Sequence, residues 1–295
     1  MPTQYAQSGL RGAMFALVAF ALYSTHDVIM KYLGSSFSVF QVVFFLNLFS
    51  VPLLLLMMIA DKSRGDLRPA HPWWMAMRSI ASAVAGWAVF YAFTVLKFAE
   101  TYTILFTVPM FITALSVPLL GEQVGARRWA AVVAGFVGVL VVLQPGLTPI
   151  GLGHVAAMVG AVGVALTFLT LRKIGQAERT VVMVLYPVIT NLAVMTCVLP
   201  FVYMPMDLPD LGLNALMAGL AFLAMLAMIG AYRAANAAVI APMQYSQMLW
   251  AVLYGAWLFN ESVGPNVLLG AGIIIASGIY ITWRESHVRA ARVRA

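Results

Sequence analysis

Ten runs of roughly 20 apolar residues, set apart by short polar breaks, occupy almost the whole chain. They cover roughly residues 11–33, 39–60, 73–96, 100–119, 127–143, 152–172, 181–203, 212–233, 237–258 and 264–283. An α-helix rising ~1.5 Å per residue needs about this length to cross a hydrocarbon layer of ~30 Å. The runs are apolar all round, so each predicted helix is immersed in an apolar medium. Strands of a membrane barrel would instead alternate polar and apolar over ~10 residues. The longest connector, Asp61 to Pro72, is too short to hold a soluble domain. The expected fold is an all-α integral membrane protein with ten transmembrane helices.

Composition strengthens that reading. Hydrophobic residues make up 63% of the chain and charged residues 9%, against about 45–50% and about 25% in a soluble domain. The net charge of +7 is unevenly placed. With the N-terminus in the cytoplasm, 15 of the 17 Lys and Arg residues fall in cytoplasmic segments, and only Lys31 and Lys97 fall outside. This positive-inside asymmetry predicts a multi-pass protein of the bacterial inner membrane with both termini cytoplasmic. It also turns the positive charge toward lipid headgroups and away from nucleic acid. Residues 285–295 read as a basic cytoplasmic tail that anchors to the leaflet. The first span is too long for a signal-peptide core and lacks a small-residue cleavage site. The single Cys197 can form no internal disulfide.

A repeat runs through the chain. GEQVG (Gly121–Gly125) and NESVG (Asn260–Gly264) occupy equivalent places, each just before the last span of its half. At the same offset Ala92 meets Ala231 and Ala99 meets Ala238. Each half holds five spans. Five is odd, so the second half must enter the membrane from the opposite side. The expected domains are a first five-helix repeat at 11–145 and a second, inverted one at 152–284. Inverted repeats of this kind enclose a substrate site near the bilayer midplane, and exchanging the states of the two halves opens one side or the other.

The segments AETYTILFTVPMFITALSVPLLGEQVGARRWAAVVAGFVGVLVVLQPG (Ala99–Gly146) and AANAAVIAPMQYSQMLWAVLYGAWLFNESVG (Ala234–Gly264), with YITWRE (Tyr280–Glu285) closing the last helix, resemble EamA-type transporters of the drug/metabolite transporter superfamily. The resemblance covers almost the whole chain. It implies ten helices in two inverted repeats, with helices one to four and six to nine around a central cavity. It also implies a cargo among amino acids, flavins, sulfonium metabolites and other small compounds. Many such proteins carry an Arg after a Phe pair in the second helix, but here Phe44-Phe45 is followed by Leu46 and Asn47.

Polar residues inside the spans are the candidate cavity lining. YSTHDVIMKY (Tyr23–Tyr32) places His26 and Asp27 in the outer part of the first span. Ionised groups there must turn inward or find partners. Asp27 and Lys31 are four apart and share a face, so they read either as a structural ion pair or, with His26, as a charged wall for a substrate amine or a proton. Arg78 in the third span reads as a snorkelling side chain or a guanidinium at the inner gate. Glu100, Glu122 and Glu261 read as acids at helix N-termini, stabilised by the macrodipole. In the ninth span Gln244, Gln247, Ala251 and Tyr254 fall on one helical face, and amides in hydrocarbon need partners. Tyr102 and Phe106 in the fourth span, Trp87 and Tyr91 in the third, and Tyr186 and Asn191 in the seventh complete the candidate lining. Pro109 is expected to bend the fourth span. Small residues in the fifth span (Ala131, Ala134, Gly135, Gly138) and the tenth (Gly272, Ala276) predict close helix packing within the protomer or at a dimer seam.

These features exclude some functions. No Gly-rich phosphate loop with Lys is present, so ATP coupling within the chain has no basis. His26, His71, His154 and His287 are scattered, with no catalytic or metal-binding constellation. The expectation is a secondary transporter, not an enzyme, with no metal and no cofactor, working as a monomer or homodimer. A cavity of few acids, some aromatics and several amides suits a small zwitterion, so an amino acid or close derivative comes first. A flavin or sulfonium metabolite comes next, and a lipid carrier or scramblase after that.

Overall fold

The computed structural model describes residues 2–60, 66–144, 150–175, 177–235 and 240–294. Lys62 and Arg64, counted above among the cytoplasmic charges, lie outside them, as do the side chains of the basic tail.

Every regular element among the described residues is helical. The helices are α1 (Pro2–Gly34), α2 (Val39–Ala60), α3 (Pro72–Val95), α4 (Phe98–Leu105), α5 (Val108–Leu120), α6 (Ala126–Leu143), α7 (Leu152–Ile174), α8 (Thr180–Val202) and α9 (Leu208–Ala234). A 3-10 turn (Ala241–Ser246) leads into α10 (Gln247–Phe259), and α11 (Pro265–Arg294) closes the chain. Among the described residues, seven stretches are long and apolar enough to cross a membrane, with α4 and α5 together forming one of them. Two shorter apolar helices, Trp129–Leu143 and Pro265–Tyr280, lie in α6 and α11. The protein is therefore an all-α membrane protein. Its perimeter agrees: Phe201 is 88% exposed, Trp257 82% and Ile59 81%. Such an apolar outer surface is stable against lipid, whereas soluble monomers rarely expose large apolar patches.

Two of the expected spans are broken. The fourth is interrupted at Phe106–Thr107, between α4 and α5. Pro109 has no N–H to continue the ladder and sits in the first turn of α5. The start expected for the ninth, 237–239, lies outside the described residues; within the span a 3-10 turn at Ala241–Ser246 precedes the α-helix that begins at Gln247.

Lipid gives helices no hydrophobic reason to associate, so close backbone approach does the work. Gly153 of α7 faces Val95 and Leu96, Gly160 faces Val89, and Gly163 faces Ala85 and Ala81, which runs α7 antiparallel along α3. In the same manner Gly12 of α1 faces Ala231 of α9 and Ala235 just after it. Gly138 of α6 and Gly270 of α11 each abut the other's carbonyl. The expected pair in the last helix is thus displaced: a side chain at Gly272 would meet nothing, and Gly270 makes the contact. The central core gathers Leu33, Phe90, Phe93, Phe98, Phe106, Met110 and Met248 from five helices and the α4–α5 break.

The two ends of the bundle can be told apart by contacts. Gln41 at the start of α2 exchanges two hydrogen bonds, of 2.6 and 2.8 Å, with the Met204 backbone just after α8. Lys31, the α3–α4 turn and Glu261 meet at that same end. At the other end Arg172 of α7 meets Glu122, between α5 and α6.

Candidate functional site

Three elements converge on the polar stretch of α1. Ser24 is fully buried and His26 nearly so. The His26 Nδ1 lies 2.9 Å from Asp27 Oδ1. Tyr102, in the last turn and a half of α4, donates its hydroxyl to Asp27 Oδ2 and lies 3.3 Å from Ser24 Oγ. Gln247, the first residue of α10, approaches the same tyrosine hydroxyl. Further along α10, Tyr254 Oη is 3.0 Å from Thr25 Oγ1. The break after α4 and the turn before α10 set this geometry, for they bring Phe106 and Tyr245 edge to face at 5.2 Å beside the cluster. Phe93 and Phe98 wall it on the other side, with Phe93 5.2 Å from the Tyr102 ring.

The electrostatics of this cluster are unusual. Among the described residues, no Lys or Arg lies within ion-pair distance of Asp27; its charged-type contact is His26. A carboxylate taken out of water costs several kcal/mol unless paired, and a hydroxyl and an imidazole offset only part of that.

Lys31 does not supply that pairing. The i, i+4 ion pair with Asp27 expected on α1 is absent. The Lys31 ammonium lies 2.7 Å from Glu261 Oε1, donates to the Leu96 carbonyl at 2.5 Å and rests over the Phe98 and Phe259 rings. Sharing a helical face allows a contact without requiring it, and Glu261 offers Lys31 a carboxylate already fixed at the end of the bundle. The expected macrodipole role of the acids also changes form. Glu261 Oε2 accepts from the N–H of Phe98, the first residue of α4, so it caps a helix of the other half. Glu122 binds Arg172 at 2.8 Å, and the helix it precedes, α6, has no side-chain cap bond. Glu100 does sit in the first turn of α4, but its carboxylate bonds His154 Nε2 at 2.8 Å.

The other predicted residues fall into separate places. Trp87 Nε1 donates to Asn191 Oδ1 at 3.2 Å, joining α3 to α8, and Asn191 donates back to the Pro187 carbonyl. Trp87 and Tyr91 line a cleft of about 580 Å³ with Phe37, Phe40 and Thr94, beside the core. Arg78 spans to the Thr167 and Met183 carbonyls at 2.9 and 3.3 Å, so it neither snorkels free nor waits unpaired. Tyr186 packs with Trp74 on Met75 and Met183, away from the cluster. Gln244 lies half-buried in the 3-10 turn, so the expected face of Gln244, Gln247, Ala251 and Tyr254 is continuous only from Gln247 onward. The structure thus brings His26, Asp27, Tyr102, Phe106, Gln247 and Tyr254 together and leaves Arg78, Trp87, Tyr91, Tyr186 and Asn191 outside, with Gln244 in the turn that leads into α10. Ser24, Thr25 and Tyr245 join the site unpredicted. Ser24 and Thr25 are visible in the sequence as polar residues in an apolar run. Tyr245 is visible only through the repeat, since it holds the place in the second half that Phe106 holds in the first.

Comparison with known proteins fits this arrangement. The EamA-like transporter family matches residues 10–144. The S-adenosylmethionine uptake transporter of Rickettsia conorii is 25% identical over 276 residues, covering 94% of each chain. Over its first half the chain is similar to the EamA-like transporter family. Among its relatives, the riboflavin transporter of Vibrio cholerae is 27% identical over 301 residues, covering 96% of this chain and 97% of the relative. A solved crystal structure shares the fold with a TM-score of 0.62 at 17% identity, covering 92% of this chain and 97% of its own. The polar side chains of the cluster lie in the bundle interior. A groove of about 480 Å³ on the outside, between α3 and α7, is lined wholly by apolar residues such as Trp73, Ile80 and Val162, and offers nothing to a polar headgroup.

Proposed function

We propose that the protein is a secondary transporter carrying a small metabolite with a fixed positive charge, of the S-adenosylmethionine kind, across the bacterial inner membrane. The observation that carries this reading is Asp27: a carboxylate inside the bundle, held by Tyr102 and His26 with no basic partner among the described residues. A sulfonium or ammonium group supplies the missing countercharge, and the surrounding Tyr102, Phe106 and Tyr245 rings favour cations through their negative faces. The Rickettsia relative's name agrees with such a cargo, whereas no amino acid, placed first on sequence grounds together with its close derivatives, is named among the relatives above.

The transport cycle rests on ten crossings in two inverted halves, 11–145 and 152–284. Three observations support it. Gly121 and Asn260, at matching places in the two halves, both adopt left-handed backbone, with φ of 70° and 52°. The residue after each returns its N–H to a carbonyl six residues back, Glu122 to Ser116 and Glu261 to Gly255. The helix pairings also survive exchange of the halves: α3 lies along α7 as α1 lies along α9, while α2 meets α8 and α6 meets α11. With the positive-inside bias, the Lys31 end is external and the Arg172 end cytoplasmic.

A second reading, a flavin, is favoured by the Vibrio relative and by the aromatic cleft at Trp87 and Tyr91. A thermal-shift panel separates the two, because a ligand that binds only the folded state raises its stability by mass action. S-adenosylmethionine is expected to raise the unfolding temperature of purified protein, and to do so less in Asp27→Asn. Stabilisation by riboflavin alone, insensitive to Asp27→Asn, favours the second reading. Stabilisation by methionine as strong as by S-adenosylmethionine removes the fixed charge from the proposal.

A further inference from the structure

Each half of the chain ends its first helix with a base, and each base is held by an acid of the other half. Lys31 lies in the last turn of α1 and Arg172 in the last turn of α7. Lys31 pairs with Glu261 at 2.7 Å, and Arg172 pairs with Glu122 at 2.8 Å. The two acids are the Glu of the repeated Glu-x-Val-Gly motif. Both are presented by the same rigid device, a helix stopped by a left-handed residue, Gly121 or Asn260. The two pairs stand at opposite ends of the bundle, and each ties the two halves together at its own end.

We propose that Glu122 and Glu261 are the acids of two reciprocal gate latches, closed by Arg172 and Lys31, and that one latch must open for the central site to face either side of the membrane. This rests on the inverted-repeat, alternating-access reading above. Neither pair is a free surface contact: side-chain exposure is 11% and 14% for Lys31 and Glu261, and 33% and 27% for Arg172 and Glu122. A partly buried pair resists separation unless both groups gain water, so each latch is stable shut and opens only when its end of the bundle is wetted. The Lys31 latch is the firmer of the two here. It is deeper, it is braced by the Leu96 carbonyl and two rings, and Glu261 also holds the first N–H of α4. The base in each latch sits at a helix C-terminus, where the dipole favours it, so the same geometry serves at both ends.

The test uses full-length protein in proteoliposomes, with Cys197→Ala and a reporter, Ser24→Cys, at the buried centre. Labelling by a membrane-impermeant maleimide is measured from each side. Glu261→Gln is expected to raise labelling from the Lys31 end by about tenfold or more, and Glu122→Gln to raise it from the Arg172 end. The swap Lys31→Glu with Glu261→Lys is expected to bring labelling back toward that of the unswapped protein. A merely structural pair would loosen both ends alike. Equal changes from both sides, or no change in a folded protein whose reporter is labelled, overturn the latches and leave alternating access standing. A reporter labelled from one side only, in every variant, overturns alternating access and the latches with it.

Discussion

Asp27 and Tyr102 form the contact on which the central cluster turns. The tyrosine hydroxyl donates to an ionised acceptor out of water, and such bonds contribute more than neutral ones, about 1.5–3 kcal/mol. Ser24 also bonds the Tyr102 hydroxyl. Substitutions at Asp27 and Tyr102 therefore should not add. In a double-mutant cycle of Tyr102→Phe and Asp27→Asn, read as stability in detergent, a coupling of about 1–3 kcal/mol is expected. Additivity within about 0.5 kcal/mol would mean the contact contributes nothing. At this scale the sequence is half legible. A run of Ser24, Thr25, His26 and Asp27 in hydrocarbon marks a site, because lipid leaves such groups no other solvent. Their partners are hidden. Spacing along α1 offers Lys31 to Asp27, while the acid that holds Lys31 stands near the far end of the chain and reaches it only through the packing of the halves.

The helices themselves are the most legible part, since a run of about 20 apolar residues has few alternatives in a membrane. Boundaries agree closely, as with α2 at Val39–Ala60 and α7 starting at Leu152. The breaks are harder. Pro109 announces the one before α5, but nothing in APMQYS fixes a 3-10 turn, which depends on what the neighbouring helices allow. Small residues show the same division. Small-xxx-small spacing marks helices able to approach closely, yet which glycine makes the approach depends on rotation about the axis. A Cβ at Gly163 would lie 2.9 Å from that of Ala85 and 3.0 Å from the Ala81 carbonyl, whereas one at Gly272 would meet no atom within 4 Å. Gly163→Ala is therefore expected to cost about 1–3 kcal/mol through the α3–α7 seam. Gly272→Ala should be neutral or stabilising by up to about 1 kcal/mol, as a helix interior prefers Ala. Thermal unfolding of the two variants side by side checks the register. Equal losses would contradict it.

For the whole molecule, the proposed mechanism rests on two devices: a central carboxylate with no basic partner among the described residues, and two ion pairs at the ends of the bundle. In that proposal the central charge binds the cargo, and the pairing of halves gives the cavity two ways to open. Repeat spacing makes the second device readable in principle, since Glu122 and Glu261 are visible as equivalents before any helix is placed. What the sequence withholds is the identity of their partners, which only the folded bundle supplies. The most direct test of Asp27 as the cargo's countercharge is uptake of labelled S-adenosylmethionine into proteoliposomes by the intact protein and by Asp27→Asn. Saturable uptake is predicted for the former, reduced about tenfold or more in the latter while the variant remains folded. Equal uptake by both proteins would contradict that role.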